Sequence, residues 1–244
     1  VKSKKTVRPV TRTTGLISIW LLRLLLLLLA GALLYQVWFL LHIVYWRTHN
    51  PTTSTFMQSR LEILRQQNPD AVLHHRWVAY EQISEHLKRA VVASEDGRFL
   101  QHQGFDFNAI EIAWKKNLKQ RKWVAGGSTI SQQLAKNLFL SSEKTVGRKF
   151  QEALITLMLE KFLSKQRILE IYLNIIEWGN GIFGIEAAAR HYFGVSASSL
   201  TPRQAAWLAA IIPNPRVYDT NRRAPRLLNK ATIILTRMPA AKIP

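Results

Sequence analysis

The hydrophobic pattern is most one-sided near the start of the chain. Residues 24–41 are eighteen consecutive positions with a single polar side chain, Gln36. At about 1.5 Å per helical residue this run covers roughly 27 Å, and the flanking apolar residues 16–22 or 43–44 complete a hydrocarbon core of about 30 Å. The pattern predicts a membrane span within residues 15–46, with Arg23 snorkelling or marking its inner boundary. Trp20 lies near one end and Trp38, Tyr45 and Trp46 near the other, as aromatic belts at two interfaces require. A cleaved signal peptide fits less well, because the run is longer than an h-region and no Ala-x-Ala site follows it.

After the span the pattern turns polar at Pro51, Thr52, Thr53, Ser54 and Thr55. Residues 47–70 are expected to be a linker leading into a juxtamembrane helix. From there to residue 244 apolar residues recur mostly at spacings of three and four. This predicts helices from Ser84 to about Glu95, and over 109–118, 129–138, 146–163, 165–176, 185–192, 202–211 and 225–238. One short segment, residues 76–80, has the character of a strand. The expected fold is therefore mostly α: a basic tail over 1–14, the anchor over 15–46, the linker, and one helical domain over 71–244. There is no internal repeat.

Charge narrows the partners. The chain carries 34 Lys and Arg against 15 Asp and Glu, a formal net charge of +19. Such a surface calls for nucleic acid, anionic lipid or a phosphate-bearing substrate. Five cations precede residue 13 whereas Arg47 alone directly follows the span, so the positive-inside rule predicts N-in, C-out in the cytoplasmic membrane. That placement puts the still strongly basic domain outside the cytoplasm and weakens nucleic acid as a partner. With no cysteine, disulfides, thiolate nucleophiles and cysteine zinc sites are excluded, while the redox compartment stays open.

Candidate chemistry begins at the end of the helix that starts at Ser84. There Glu95 and Asp96 meet Arg98, Phe99, His102 and Gly104. A carboxylate at a helix C-terminus faces the negative end of the macrodipole, which costs a few tenths to about 1 kcal/mol. Glu95 is thus a candidate general base, against the bland alternative of a solvated pair at a helix end. Next, Gly126-Gly127-Ser128-Thr129 runs into a helix start where Thr129 and Gln132 can form a capping box. A helix N-terminus attracts an anion, and Lys136 and Asn137 can extend toward the same ligand. Further on, Arg148 and Lys149 stand within one turn of Glu152, either a surface ion pair or, given the apolar residues around it, a partly enclosed cluster.

Three weaker matches fail. Gly179-x-Gly181-x-x-Gly184 follows a helix rather than a strand and lacks the ribose-binding acid, so it is expected to be a tight loop between helices. Ser141-x-x-Lys144 has no partner motifs. The seven histidines show no H-E-x-x-H or clustered ligand spacing.

The ordered set Glu95-Asp96-x-x-Phe99-x-x-His102-x-Gly104, Gly126-Gly127-Ser128-Thr129-Ile130-x-Gln132-Gln133-x-x-Lys136-Asn137, Arg148-Lys149-x-x-Glu152 and Lys165-x-x-Ile168-Leu169-Glu170-x-Tyr172-Leu173-Asn174 resembles the peptidoglycan glycosyltransferase family, in particular its monofunctional membrane-anchored members. The resemblance covers about residues 75–218. It implies a lysozyme-like fold that polymerises lipid II, taking a lipid-linked glycan chain as donor and releasing undecaprenyl pyrophosphate. It further implies Glu95 and Glu152 as the catalytic carboxylates. Asp96, Phe99, His102, Ser128, Thr129, Gln132, Gln133, Lys136, Asn137, Arg148 and Lys149 would be on the substrate side. A divalent cation, Mg or Mn, is compatible with Glu152 but not required. Membrane lipids are implied partners and other cell wall synthases conceivable ones, and the basic stretch Trp114–Trp123 would belong to a membrane-dipping jaw. A lytic transglycosylase or glycan hydrolase of related fold is the alternative enzyme, and a basic membrane-bound scaffold the non-enzymatic one.

Overall fold

The computed structural model describes residues 13–122, 126–141, 143 and 145–244, with side chains from residue 19 onward. Nearly all of the expected basic tail, Trp123 and Lys144 lie outside the described residues. The chain forms two compact units, residues 1–42 and 43–244.

The first unit is built on helix α1 (Thr13–Tyr45). Its stretch Ile19–Tyr45 is 27 residues long and apolar enough to cross a membrane. Leu24 through Leu29 are each more than half exposed, so this helix is not the core of a soluble bundle. The Arg23 guanidinium folds back over the Trp20 ring at 5.1 Å, the posture expected of a cation at an interface.

The second unit is helical, as predicted. It holds α2 (Thr55–Gln67), α3 (Glu85–Glu95), α4 (Phe107–Gln120), α5 (Ile130–Phe139), α6 (Val146–Phe162), α7 (Lys165–Ile175), α8 (Ile185–Phe193), α9 (Pro202–Ile211), α10 (Pro215–Thr220) and α11 (Pro225–Arg237). Side-chain oxygens of Ser54, Asp106, Thr129, Thr145, Ser164 and Thr201 cap six of these helices by accepting a backbone N–H of the first turn. Ser84 sits at the expected N-cap of α3, but its hydroxyl donates to the Leu200 carbonyl at 3.0 Å and ties α3 to the segment before α9. α7 is the hub: Ile168, Leu169, Ile171, Tyr172, Leu173 and Ile175 have no exposed surface. α5 packs on α6 and α7, while α3, α9 and α11 pack on one another.

Two β expectations are corrected. Residues 77–79 form no strand, and Tyr80–Gln82 is a 3-10 turn. The strand is β1 (His74–His75). The reason is side-chain competition: the Asn174 carboxamide accepts from Val78 N–H and donates to the Val78 carbonyl, both at 2.9 Å, so the backbone there has no need of a strand partner. The segment expected as a loop is a hairpin, β2 (Glu177–Gly179) and β3 (Ile182–Phe183), turning at Asn180-Gly181 with Gly181 at φ 74. β3 pairs antiparallel with β2 and parallel with β1. Asn-Gly between apolar residues is a strong hairpin signal. The short α10 has only Pro215 to announce it.

Asn174 is completely buried and also donates to the Glu170 carbonyl. Asn174→Ala leaves both polar groups of Val78 without partners, at about 1–3 kcal/mol each. Urea denaturation should show a loss of about 2–4 kcal/mol, and a loss under 0.5 kcal/mol would contradict this account of the missing strand.

Candidate active site

α3 ends on Glu95, as predicted, and the next residue, Asp96, is its C-cap. The Glu95 side chain is 11% exposed. Its Oε1 accepts from the Ser94 hydroxyl at 2.9 Å and its Oε2 from the Gln133 side-chain N–H at 3.1 Å. The Lys230 ammonium of α11 lies 3.5 Å from Oε1. These donors and the cation offset the unfavourable pole of α3 and fix the carboxylate without enclosing it.

Gln133 is held from behind. Its Oε1 accepts from the Tyr172 hydroxyl at 2.8 Å, and its backbone carbonyl accepts from Asn137 Nδ2 at 2.7 Å. Burial pushes the Tyr172 phenol well above its ordinary value, and the Glu95 and Asp96 charges push it further. The hydroxyl therefore stays protonated and remains a donor. With its oxygen taken by that hydroxyl, the Gln133 amide presents its N–H to Glu95. Glu95, Gln133 and Asn137 are thus brought together. Tyr172 entered the sequence reading only as a position of the fourth motif, with no role given to it, and Lys230, on a distant helix, was not singled out.

Asp96 faces inward. Its Oδ1 pairs with His102 Nε2 at 2.8 Å and its Oδ2 accepts from Ile130 N–H at 3.0 Å. The N-terminus of α5, expected to attract an anion, takes the protein's own Asp96. Thr129 and Gln132 complete the predicted capping box there, and Thr129 also donates to the Gly104 carbonyl at 2.6 Å. Gly104 has φ 89, and a Cβ on it would lie 2.7 Å from Thr156 Cγ2, so glycine is needed for the loop to pass against α6. Phe99 is buried under the Lys165 ammonium, 4.4 Å above its ring. Asp96, Phe99, His102, Thr129 and Gln132 therefore build the frame of the site rather than its open wall, whereas Ser128 is exposed.

Glu152 forms a separate cluster. It is 3% exposed, pairs with Arg148 at 2.7 Å, and makes an ion pair with the half-exposed Lys149. Its side-chain partners lie on its own helix and it shares none with Glu95. The Arg148 Nε is buried with no hydrogen-bond partner. Partial enclosure of Glu152, the less bland of the two readings, is what the fold contains.

Gln133, Lys136, Asn137 and Tyr172 also line a polar cavity of about 170 Å³ with Glu177 and Arg216. Burial pushes the Glu177 carboxyl up, opposed by Arg216, the Gly181 N–H and Arg60. Neither Glu177 nor Arg216 stood out in the sequence, because the hairpin that aims the first and the short helix that carries the second were both missed.

Ligand atoms of Asp96, His102 and Asp106 lie within 4.8 Å of one another, the type of cluster that can hold a divalent cation. Here the carboxylates are already engaged: Asp96 as above, and Asp106 Oδ1 by the Ala109 N–H at 3.0 Å, with Arg98 at 3.6 Å. The His102 Nδ1 is buried without a hydrogen-bond partner, but an ion held here would compete with the Asp96 bonds to His102 and Ile130 and with the Asp106 cap of α4.

Residues 62–239 match the family model described as Transglycosylase. The chain is 75% identical to the biosynthetic peptidoglycan transglycosylase of Nitrosomonas eutropha over the whole of both chains. It is 76% identical to that of Nitrosomonas europaea over 97% of each chain. To the protein of the same name from Nitrosospira multiformis it is 60% identical, over 92% of this chain and 98% of the other.

The framing role of Asp96 has a direct test. Asp96→Ala removes the acceptor of Ile130 N–H and the partner of His102, leaving buried donors at about 1–3 kcal/mol each. A stability loss of about 2–4 kcal/mol by chemical denaturation is expected; unchanged stability would return Asp96 to the substrate side.

Proposed function

The chain belongs to the transglycosylase family, and from that premise we propose how it polymerises the glycan strands of peptidoglycan. It is a peptidoglycan glycosyltransferase. Its acceptor is lipid II, whose GlcNAc 4-hydroxyl attacks the anomeric carbon of a lipid-linked glycan chain. Glu95 takes the hydroxyl proton as the new β-1,4 bond forms. The α-linked undecaprenyl pyrophosphate leaves with the bonding electron pair, so the anomeric configuration inverts.

The observation that carries this reading is the fixing of Glu95 by Gln133, which itself lines a polar cavity. A base must be aimed before it can act, and the Tyr172–Gln133–Glu95 chain aims it. The leaving diphosphate is stabilised by Arg148 and Lys149, with Lys136 adding charge from the cavity wall. Glu152 holds the two cations in place. Ser128 and Asn137 complete the donor side. A glycan hydrolase is not favoured, since it would have no diphosphate for such a cation cluster to meet.

The apolar helix α1 fits a single-pass membrane anchor. We place it in the cytoplasmic membrane with the catalytic domain outside, from the cations that precede it. Lipid II, the lipid-linked chain and membrane lipids are then the partners. On α4, Phe107, Ile112, Trp114 and Leu118 are each more than half exposed beside Lys115, Lys116 and Lys119, a combination suited to guiding an anionic lipid.

Incubated with lipid II, the purified protein should form linear glycan and release undecaprenyl pyrophosphate; cleavage of sacculi instead would return the hydrolase. Glu95→Gln should lower turnover by about 10²–10⁴ with the fold intact, the range of a lost general base. Near-normal polymerisation by that variant would remove Glu95 from the role.

A further inference from the structure

The cavity next to Gln133 contains two charged groups that the reaction as described does not use. Glu177, on β2, is 6% exposed. Its Oε1 lies 3.2 Å from Arg60 Nε and accepts from the Gly181 N–H at 3.4 Å, while its Oε2 lies 3.6 Å from Arg216 Nε. Arg60 is further bonded to the Asn180 side-chain carbonyl. One buried carboxylate therefore stands between two guanidiniums, and the group as a whole is cationic.

The two arginines are not equivalent. Arg60 is 11% exposed on its side chain and ion-pairs with Glu177 through an Nε that makes no hydrogen bond, whereas Arg216 is 53% exposed and faces Glu177 with its Nε at ion-pair distance. Its two terminal nitrogens have no acceptor among the described residues. A guanidinium turned with its Nε toward an acid keeps its outer edge free for a bidentate contact with a phosphate or carboxylate. A side chain this exposed would ordinarily turn into solvent. Here the buried Glu177 anchors it on the wall that also carries Lys136, Asn137 and Gln133, one hydrogen bond from Glu95.

We propose that Arg216 is a substrate-binding residue that grips an anionic group of the lipid-linked glycan substrate in this cavity, and that Glu177 is the positioning residue that aims it. The inference rests on the polymerase reading above and adds a specificity-determining contact to it. The chemistry recognised is a pair of anionic oxygens. Two parts of the substrate carry them, the diphosphate and the carboxylates of the stem peptide.

The experiment measures KM and kcat for lipid II polymerisation by the full chain and its variants. Arg216→Gln should raise KM roughly tenfold, the scale of one charge-assisted hydrogen bond, with kcat changed less than about threefold. Arg216→Lys should recover part of the loss. Glu177→Gln should raise KM in the same direction, and the Glu177→Gln/Arg216→Gln double variant should be little worse than Arg216→Gln alone, because both act through one contact. Lipid II with amidated stem-peptide carboxylates separates the sources. A penalty that vanishes with it assigns the contact to the peptide, and one that persists assigns it to the diphosphate.

Direct binding of lipid II to Glu95→Gln protein, with and without Arg216→Gln, gives the same answer without turnover. A folded Arg216→Gln variant with KM and affinity within twofold of its parent would overturn the proposal. Failure of the unsubstituted protein to polymerise lipid II would instead strike the polymerase reading, so the two failures are distinguishable.

Discussion

The hydrogen bonds of the Gln133 side chain are the constraint on which the site depends. One carboxamide joins α3, α5 and α7: it donates to Glu95 at the end of α3 and accepts from Tyr172 on the hub helix. An amide has one donor end and one acceptor end, and with its oxygen taken by the Tyr172 hydroxyl its N–H is left for Glu95. The direction of the chain is thereby set from the core outward. Glu95 receives a fixed N–H on one oxygen while the other faces Ser94 and Lys230. The placement of α5 that makes this possible is in turn pinned by Asp96 at its N-terminus, so the two adjacent acids have different surroundings, Glu95 facing Gln133 and Lys230 and Asp96 holding α5.

A second constraint follows from composition. On a chain with 15 acids against 34 cations, several carboxylates are buried at the heart of the domain: Asp96, Glu152 and Glu177 among them, each under 9% exposed. An unpaired buried charge costs several kcal/mol, and a paired one requires good geometry and additional hydrogen bonds. Each of these acids has two or more partners. The result is a set of cations held in stated directions, Arg148 and Lys149 by Glu152 and Arg216 by Glu177. The excess positive charge is thus not only a general attraction to an anionic membrane. Part of it is aimed.

Much of this was legible beforehand, for physical reasons. The helices were found because each buries one face, so the sequence carries a 3.6-residue period, and because a cap such as Thr129 with Gln132 marks a start. Glu95 was identifiable as a carboxylate at the wrong end of a helix. What escaped the sequence depends on contacts distant along the chain. Residues 76–80 have strand character, yet Asn174, nearly a hundred residues later, takes both backbone groups of Val78. Asp96 gave no hint that it would cap α5 across 34 positions, and so an anion site was expected where the protein already supplies the anion. Tyr172 reads locally as a core residue, and Glu177 lies in a hairpin too short for periodicity to show. Asn180-Gly181 was the available signal, obscured by the glycine pattern around it.

The central claim is that Glu95 acts because Gln133 aims it, and the most direct measurement is kcat for lipid II polymerisation by Gln133→Ala. With the carboxylate of Glu95 still present but released from its donor, the account predicts kcat lower by about tenfold or more, the worth of a hydrogen bond to a charged group, in a protein that remains folded. A folded Gln133→Ala enzyme with unchanged kcat would contradict it.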